Sequence, residues 1–380
     1  MSKKGKHSSG TGIRILILCL VIVVVASLFL FGDTLRGMTI QRLAYYLTSG
    51  ISGSADAANI SFVANEHNRF HLLQKGLAIL SNEKLTVYSM SGEEKHSIPL
   101  TYRTPTISGS EKHLIAYDRG GTEFVVTNAT STLFQSEAEA KIINANMNRN
   151  GAFSMITDGP DCKTLLSVYN PSFDVIYKLH STEQYVIDAA ISNNNKSMAV
   201  LALSASGDGF VGTVSFYHLD EETPYFSHSL TDIVPLSVQY DKDGRIRVLC
   251  ENCFLLFDKN GTLITEIPFE QPELLSYTFS SSRLVGLLTN NYSTGGNSML
   301  TLLSRNDSEP LSISFREETL SVSAAGNFIA VRCPNKIVVY DRELQVDRTY
   351  TVPSGVKSCI MREDGTVLII GADFATLLIS

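Results

Sequence analysis

The chain has 380 residues, of which 18% are charged and 44% hydrophobic, which is the composition of a globular protein and not of a disordered one. Asp and Glu number 38 against 31 Lys and Arg, and once the four basic residues of the N-terminal tail are set aside, the rest carries a net charge of −11. This acidic body argues against nucleic acid as a partner, because phosphate binding needs a basic face.

The N-terminus begins with a short basic tail and continues into an apolar run. Residues 1–14 contain four basic side chains, and Ile15 to Phe31 is an uninterrupted run of 17 apolar or small residues. At 1.5 Å per residue a helix of this length spans about 26 Å, the short end of a bilayer core. We predict a transmembrane helix over residues 15–32, in contact with the lipid bilayer.

A cleaved signal peptide is the alternative for the same run. Signal peptides usually have apolar cores of about 7 to 15 residues followed by a small-x-small cleavage site. Here the first Ala-x-Ala, Ala55 to Ala57, lies more than 20 residues beyond Phe31. Length and spacing therefore favour an uncleaved signal anchor.

Flanking charge predicts the orientation of this anchor. Four basic residues precede the run, and two, Arg36 and Arg42, follow it closely. The side richer in Lys and Arg stays in the cytoplasm. We therefore expect a single-pass protein of the cell membrane with a cytoplasmic N-terminus and an extracytoplasmic C-terminal domain.

Residues 33–58 are predicted to form a juxtamembrane helix and a linker. Apolar residues at helical spacing give the helix a single apolar face, which either packs on the domain or lies on the membrane: Leu35, Met38, Leu43, Tyr46 and Leu47. The Ser- and Gly-rich stretch 49–54 is typical of a flexible linker.

Residues 59–380 repeat one pattern of short apolar strands. Four stretches share a frame of two strands around a tight turn, namely 77–88, 246–257, 329–340 and 367–378. With looser copies between them, the second strand ends eight times, near Ser81, Asp118, Thr157, Leu203, Cys250, Thr289, Cys333 and Gly371. Intervals of 37 to 47 residues are typical of four-stranded β-propeller blades. The fold class predicted is all-β, an eight-bladed propeller, with seven blades if one weak copy is not a blade.

The two ends of this repeat region are complementary. The last copy supplies only three strands and stops at Phe374 to Ser380, whereas Ile60 to Ala64 is a strand with no blade of its own. Pairing these two segments seals the ring and removes its open sheet edges. We predict that the N-terminal strand completes the last blade.

The chain also resembles a known group of proteins. A basic tail, one apolar helix, a Ser/Gly linker and the runs 76–81 (GLAILS) and 114–121 (LIAYDRGG) resemble an uncharacterised bacterial family of membrane-anchored β-propellers. The repeats are also broadly similar to those of WD40 and quinoprotein propellers, although Trp is absent from the chain. The resemblance implies a fold and a membrane anchor, and it supplies no functional residues.

Cys250 and Cys253 have the most distinctive spacing among reactive residues. A redox pair of this spacing normally opens a helix, whereas here it brackets a β-turn, and a zinc site would need two further ligands. A disulfide between Cys250 and Cys253 and two free buried thiols are both compatible with the sequence.

Other motifs indicate turns and not chemistry. The segments 241–244 (DKDG) and 258–261 (DKNG) imitate the start of a calcium loop but lack its twelfth-position Glu, and such pairs between strands are normally hairpin turns. No nucleophile, metal or cofactor motif occurs in the sequence. We therefore expect no catalytic residues, metal ligands or cofactor.

Three hairpins have long loops between their second and third strands. They are 158–163, 204–212 and 290–298, and they are either binding loops on a rigid scaffold or tolerated insertions. The function predicted is a membrane-anchored, non-enzymatic interaction or scaffold module that binds another envelope protein or a cell-surface component. The alternative is an enzyme or small-ligand receptor with its site in the central channel of the propeller.

Overall fold

Thirty-two β-strands joined by short turns make up the residues that the structure, a computed structural model, describes. These residues are 59–74, 76–207, 209–271, 273–280, 283–291, 297–304 and 309–378. The strands form eight antiparallel sheets of four strands each, which are the eight blades of a propeller. The all-β prediction and the count of eight blades are therefore confirmed.

The first strand, β1 (Asn59–Ser61), is followed by blades 1 to 4. Blade 1 contains β2 (Arg69–Leu73), β3 (Gly76–Leu80), β4 (Lys84–Ser89) and β5 (Glu94–Pro99). Blade 2 contains β6 (Pro105–Gly109), β7 (His113–Asp118), β8 (Glu123–Asn128) and β9 (Thr132–Glu137). Blade 3 contains β10 (Ile142–Met147), β11 (Phe153–Asp158), β12 (Thr164–Tyr169) and β13 (Val175–Ser181). Blade 4 contains β14 (Tyr185–Ile191), β15 (Ser197–Ser206), β16 (Gly209–His218) and β17 (Phe226–Thr231).

Blades 5 to 8 follow the same order. Blade 5 contains β18 (Pro235–Tyr240), β19 (Ile246–Cys250), β20 (Cys253–Phe257) and β21 (Leu263–Pro268). Blade 6 contains β22 (Glu273–Phe279), β23 (Val285–Asn291), β24 (Asn297–Leu303) and β25 (Leu311–Phe315). Blade 7 contains β26 (Ser321–Ala325), β27 (Phe328–Arg332), β28 (Lys336–Tyr340) and β29 (Val346–Thr351). Blade 8 contains β30 (Ser358–Met361), β31 (Val367–Ile370), β32 (Phe374–Leu378) and β1.

The predicted closure of the ring is confirmed. β1 pairs antiparallel with β32, with Ile60 opposite Ala375, and the ladder continues to the Phe62 N–H, which donates to the Asp373 carbonyl at 2.9 Å. Ile60 is only 1% exposed. The strand is shorter than predicted because the chain leaves the sheet after Phe62 to reach blade 1, so that Val63 is 79% exposed.

Apolar side chains hold neighbouring blades together. The second and third strands are buried along their length, as in β19 and β20, whereas fourth strands such as β9 alternate between exposed and half-buried positions. One apolar cluster joins Leu201 and Phe216 of blade 4 to Val248 and Leu255 of blade 5. Full burial of such a side chain contributes roughly 1.5 to 3 kcal/mol, so these interfaces supply most of the stability of the ring.

Strand direction gives the ring two different faces. Turns between first and second strands and between third and fourth strands lie on one face, which we call the mouth face. Turns between second and third strands, together with the connections between blades, lie on the opposite or far face. Contact between Gly92, in the β4–β5 turn, and the Asn59 carbonyl places the start of β1 on the mouth face.

The three long loops all belong to the far face, and one of them is not a loop. Residues 159–163 form the connection predicted between β11 and β12. The stretch 204–212 was wrongly assigned to a loop, because β15 and β16 continue as a paired ribbon in which Ser206 lies opposite Gly209. Main-chain pairing extends a hairpin even where Gly and Ser supply little packing. In the third predicted loop, 290–298, Asn290 and Asn291 pair with Ser298 and Asn297, and residues 292–296 lie outside the described residues.

The predicted N-terminal segments also lie outside the described residues. They are the tail (1–14), the membrane helix (15–32) and the juxtamembrane segment (33–58). In the stretches of the chain that the structure does describe, no helix has the length and hydropathy needed to cross a bilayer.

Candidate functional site: the channel mouth

The first strand of each blade borders the central channel. Each of these inner strands pairs on one edge only, with the second strand of its own blade. The other edge presents backbone N–H and C=O groups to the channel, and such groups require partners when they are withdrawn from water. The sequence must therefore place polar side chains on these strands.

Polar side chains of one inner strand bond the backbone of the next blade. Ser108 accepts a hydrogen bond from the Met147 N–H at 3.3 Å, Ser276 accepts one from Val322 at 3.2 Å, and Ser323 accepts one from Met361 at 2.9 Å. We call this set the polar belt, which comprises Ser108, Asn144, Asn146, Asn148, Asp188, Ser237, Ser276, Thr278 and Ser323. Among the described residues it links blades 2 to 5 in succession and blades 6 to 8 in succession.

A shared irregularity positions four members of the belt. The inner strands of blades 3 to 6 each shift register just before Asn144, Asp188, Ser237 and Ser276. A β-bulge reorients the side chains that follow it. As a result, Asn144 Nδ2 donates to Asp188 Oδ1 at 3.0 Å, and the Ser237 hydroxyl donates to Asp188 Oδ2 at 3.4 Å. This chain of contacts spans blades 3, 4 and 5.

Asp188 is the buried carboxylate at the centre of this chain. It is 4% exposed, and its oxygens also accept hydrogen bonds from the backbone N–H groups of Ala189 and Val238, each at 2.9 Å. Burial raises the pKa of Asp188, and the hydrogen bonds that it accepts oppose that rise. Its contacts are all within the wall of the channel, which indicates a structural role.

Alternating asparagines in blade 3 reach across to the following blades. Asn146 Nδ2 donates to the Val238 carbonyl at 3.2 Å, Asn148 Nδ2 donates to the Ser192 carbonyl at 3.0 Å, and Asn150 bonds the Asn193 carbonyl. These contacts were not predicted from the sequence. Their signal is the strict alternation of residues 144–150 (NANMNRN), since a period of two places every second side chain on one side of a strand.

The channel widens into a cavity at the C-terminal ends of the inner strands. Its volume is about 410 Å³, within the range of small-ligand pockets. All eight blades contribute to its wall, including His71, Glu111, Arg149, Asn193, Lys242, Phe279, Ala325 and Arg362. Because these residues lie at or next to the turns between first and second strands, the cavity is on the mouth face.

Blade 5 supplies the most highly charged region of the wall. Asp241 Oδ1 accepts hydrogen bonds from the N–H groups of Asp243 and Arg245, which closes the turn, and Gly244 occupies the left-handed position there with φ of 84°. Asp241 Oδ2 accepts a hydrogen bond from Arg245 Nε at 2.7 Å. The carboxylate of Asp241 is thus largely occupied by its own turn and by Arg245.

Arg247 adds a buried positive charge beside this turn. Its side chain is 1% exposed, its Nη1 donates to the Ser280 carbonyl of blade 6 at 2.9 Å, and its Nη2 lies 4.0 Å from Asp241 Oδ2. The guanidinium also lies 5.9 Å from the centre of the Phe279 ring. Arg247 therefore joins blades 5 and 6 and brings a cation to the cavity wall.

Blades 1 and 2 close another region of the wall through a histidine. His71 Nε2 is 2.8 Å from the Ser110 carbonyl, and burial lowers the pKa of His71. A Cβ on Gly109 would lie 2.9 Å from that nitrogen, so glycine permits the approach. The neutral imidazole acts as a donor between blades and adds no charge to the cavity.

The cysteine pair predicted as a candidate disulfide lies away from the cavity. Cys250 ends β19 and Cys253 begins β20, so both flank a turn on the far face, and both are buried free thiols in this structure. Their hydrogen bond and burial raise the pKa of the Cys250 thiol, while the same bond lowers that of Cys253. The alternative of a disulfide in an oxidising compartment stays a prediction.

The two calcium-like segments are turns, as predicted. The 258–261 turn repeats the pattern of Asp241, with Asp258 Oδ1 accepting hydrogen bonds from the N–H groups of Asn260 and Thr262. In the residues that the structure describes, no group of three or more His, Cys, Asp or Glu is arranged to hold a metal.

Comparison with known proteins identifies a family and a fold. Residues 56–374 match the profile of DUF5711, a family of unknown function. BamB from Moraxella catarrhalis is similar at a TM-score of 0.53 and 10% identity, covering 84% of this chain and 99% of that chain. A eukaryotic initiation factor is similar at a TM-score of 0.57 and 12% identity, with coverages of 83% and 90%. Apo AztD from Citrobacter koseri is similar at 0.51 and 10% identity, with coverages of 76% and 86%.

These similarities support the propeller architecture alone, because the identities are too low to carry function. A search of curated proteins gives no match.

Proposed function

Since this chain belongs to the DUF5711 family, whose function is unknown, we propose a function from its site: a membrane-tethered, extracytoplasmic, non-enzymatic binding module that contacts a protein of the cell envelope or cell surface through the channel mouth. The observation that carries the proposal is the cavity of about 410 Å³ to which all eight blades contribute.

The polar belt and the mouth divide the polar groups of the channel into two kinds. Belt groups such as Asp188 and Asn148 already form hydrogen bonds between blades. Mouth groups such as Lys242 and Arg149 are exposed side chains at the rim. A rigid ring that holds exposed polar groups around a hollow is suited to receive a projecting segment of a partner.

Binding is favoured over catalysis by the chemistry of the same wall. His71 is committed to the Ser110 carbonyl, and Asp241 is committed to its turn and to Arg245. A general base or nucleophile needs a side chain that is free to reach substrate. The cavity is also of a size that suits a small molecule, so a small-ligand receptor is the second candidate, and cross-linking to the partner distinguishes the two.

The tether and the orientation rest on the N-terminal sequence. Replacing both Val23 and Val24 by Asp should release or mislocalise the protein, because a charge at the bilayer centre costs about 2.5 to 3.5 kcal/mol per residue on insertion scales. Protease added to intact cells should degrade the propeller. Protection of the C-terminus by intact cells would contradict the extracytoplasmic location.

The contact face is tested by charge reversal at two matched lysines. Lys242 lies at the mouth, whereas Lys141 lies on the far face in the connection between β9 and β10, and both are exposed. Proteins cross-linked to the propeller on intact cells should be lost in Lys242→Glu and retained in Lys141→Glu. The opposite pattern would place the contact on the far face. Retention in both variants, together with saturable uptake of a small molecule, would favour the receptor.

A further inference from the structure

Charge is distributed unevenly over the mouth face. The inner turns, which join first to second strands, carry seven basic and five acidic residues among those that the structure describes. They are Lys112, Arg149, Lys196, Lys242, Arg245, Arg283 and Arg362 against Glu111, Asp241, Asp243, Glu363 and Asp364. The buried Arg247 adds one more positive charge to the wall of the cavity.

The outer turns, which join third to fourth strands, have the opposite balance. Their described residues include two basic and nine acidic side chains: Lys259 and Arg342 against Glu93, Asp174, Asp220, Glu221, Glu222, Asp258, Glu309, Asp341 and Glu343. The mouth face therefore has a basic centre surrounded by an acidic ring, within a chain whose net charge is −7.

The basic centre is partly neutralised, and Lys242 is an exposed basic residue that lines the cavity itself. Arg149 lies 3.4 Å from Glu111, Arg362 lies 3.1 Å from Asp364, and Arg283 pairs with Asp243. Lys242 lines the cavity, is exposed, and forms no ion pair with the residues that the structure describes. Beside it, Arg247 shares the single carboxylate of Asp241 with Arg245.

We propose that the channel mouth binds one acidic group carried on a peptide segment of the protein partner, with basic residues flanking that acidic group. The acidic group occupies the cavity next to Lys242 and Arg247, and the flanking basic residues face the acidic outer turns. This inference rests on the proposed function, since it assumes that the mouth is the contact face. It adds the charge pattern that a partner must have.

The acidic ring makes other anionic ligands unfavourable. An anionic membrane surface or a strongly acidic protein would have to approach the outer turns as closely as the centre, and like charges repel there. A free phosphate or carboxylate meets the attraction of the centre without the contribution of the flanking basic residues. A segment that complements both the basic centre and the acidic ring must carry charges of both signs.

Peptide titration of the purified propeller tests the pattern. The first probe is a pentapeptide with one aspartate between two pairs of lysines, the second replaces the aspartate by asparagine, and the third places one lysine between two pairs of glutamates. Inorganic phosphate is titrated separately as a free anion. We expect the aspartate peptide to bind at least about tenfold more tightly than the asparagine peptide, and more tightly than the third peptide and phosphate.

Variants of two lysines assign the effect to the cavity. Lys242→Ala should weaken binding of the aspartate peptide by about three- to tenfold and should not weaken binding of the asparagine peptide, because the lost attraction is to the carboxylate. Lys196→Ala is the control, since Lys196 lies in the inner turn of blade 4 but does not line the cavity. Arg247→Lys keeps the buried charge and should fold. It loses the planar guanidinium with its several N–H donors, so it should also bind the aspartate peptide more weakly.

The outcomes separate this inference from the function on which it rests. Equal binding of the aspartate and asparagine peptides, with the affinity of both changed by Lys242→Glu, would overturn the acidic-group proposal while keeping the mouth as the contact face. If neither Lys242→Ala nor Lys242→Glu changes the affinity of any peptide, both the acidic-group proposal and the mouth as the contact face are contradicted. Tighter binding of the third peptide or of phosphate would contradict the charge pattern.

Discussion

The interfaces between blades and the wall of the channel differ in the kind of side chain that forms them. Between blades, buried apolar side chains from second and third strands repeat in the same positions, as Leu201 and Leu249 do, which lie opposite Asp188 and Ser237 in their own blades. Around the channel the polar side chains vary more from blade to blade: blades 2, 6 and 7 use a serine such as Ser108, blade 3 uses asparagines, and blade 4 uses Asp188. The first region depends on repetition, and the second depends on individual contacts.

If the mouth is the contact face, as we propose, this difference separates stability from binding. An apolar interface tolerates exchange among residues of similar volume, so it holds the ring without specifying a ligand. The wall of the channel holds groups of fixed direction and charge, and some of them remain exposed at the mouth. Perturbing the first region should therefore unfold the protein, and perturbing the mouth should change binding alone.

The largest expected effect comes from opening the ring at blade 8. A protein that begins at Asn68 lacks β1 and should unfold at lower temperature or aggregate, because it exposes the edge of β32 and loses the burial of Ile60, which is worth roughly 1.5 to 3 kcal/mol by itself. A protein that begins at Asp56 retains β1 and is the control. Thermal unfolding followed by circular dichroism measures the difference. Equal melting temperatures for the two proteins would show that the seam does not stabilise the ring.

A smaller loss of stability is expected from Asp188→Asn in the polar belt. The variant keeps the shape of the side chain but removes an acceptor, so a buried N–H group of Ala189 or Val238 loses its partner at a cost of about 1 to 3 kcal/mol. Urea unfolding at neutral pH measures this cost. An unchanged midpoint would mean that the belt contributes little to holding blades 3, 4 and 5 together.

The same residue gives a pH dependence with a definite sign. Burial raises the pKa of Asp188 in the folded state, so between the ordinary aspartate pKa of about 3.9 and the raised value the folded protein binds more protons than the unfolded chain. The part of the stability that depends on protonation of Asp188 is therefore present at low pH and is lost as pH rises through that window. Asp188→Asn should remove this component of the pH dependence, which a series of unfolding curves from acid to neutral pH would detect. A steeper dependence in the variant would contradict the assignment.

Oxidation of the cysteine pair should have a modest effect, because the loop is short. A disulfide between Cys250 and Cys253 would close a loop of about four residues, for which chain entropy gives at most about 2 kcal/mol. Unfolding with and without reductant, together with counting free thiols after denaturation, measures the effect. A much larger reductant-dependent loss of stability would show that the pair holds more of blade 5 than its hairpin.

The smallest effect on folding is expected at the mouth itself. Lys242→Ala removes an exposed side chain that does not belong to the belt, and substitutions of this kind usually change stability by less than about 0.5 kcal/mol. Its melting temperature should match that of the unsubstituted protein, while binding through the mouth is weakened. A large loss of stability would mean that the mouth and the belt are not separable.

The contrast between the two regions also explains what the sequence predicts. The 40-residue rhythm of apolar strands, the three-strand last repeat and the isolated strand at Ile60 were sufficient to predict eight blades and the shared last blade. The ribbon of β15 and β16 was mistaken for a loop because Gly and Ser carry no strand signal, although their backbone pairs.

A site in the central channel was the alternative prediction, but the residues of the mouth were not predicted, since they are brought together from eight blades and share no motif. Glu111, Lys242 and Arg362 are far apart in the chain and lie in ordinary turn sequences. The three long far-face loops were the more visible feature of the sequence, and they were left open as binding loops or tolerated insertions. The alternating asparagines of residues 144–150 are the sequence pattern that indicates the polar belt.

Hydrogen exchange with and without the captured partner tests most directly whether the mouth face is the functional region. Protection on binding should appear in the inner turns, including residues 148–151 and 241–245, and the far-face turns at 159–163 and 251–252 should exchange as they do in the free protein. Protection confined to the far-face turns, with the inner turns unchanged, would contradict the account.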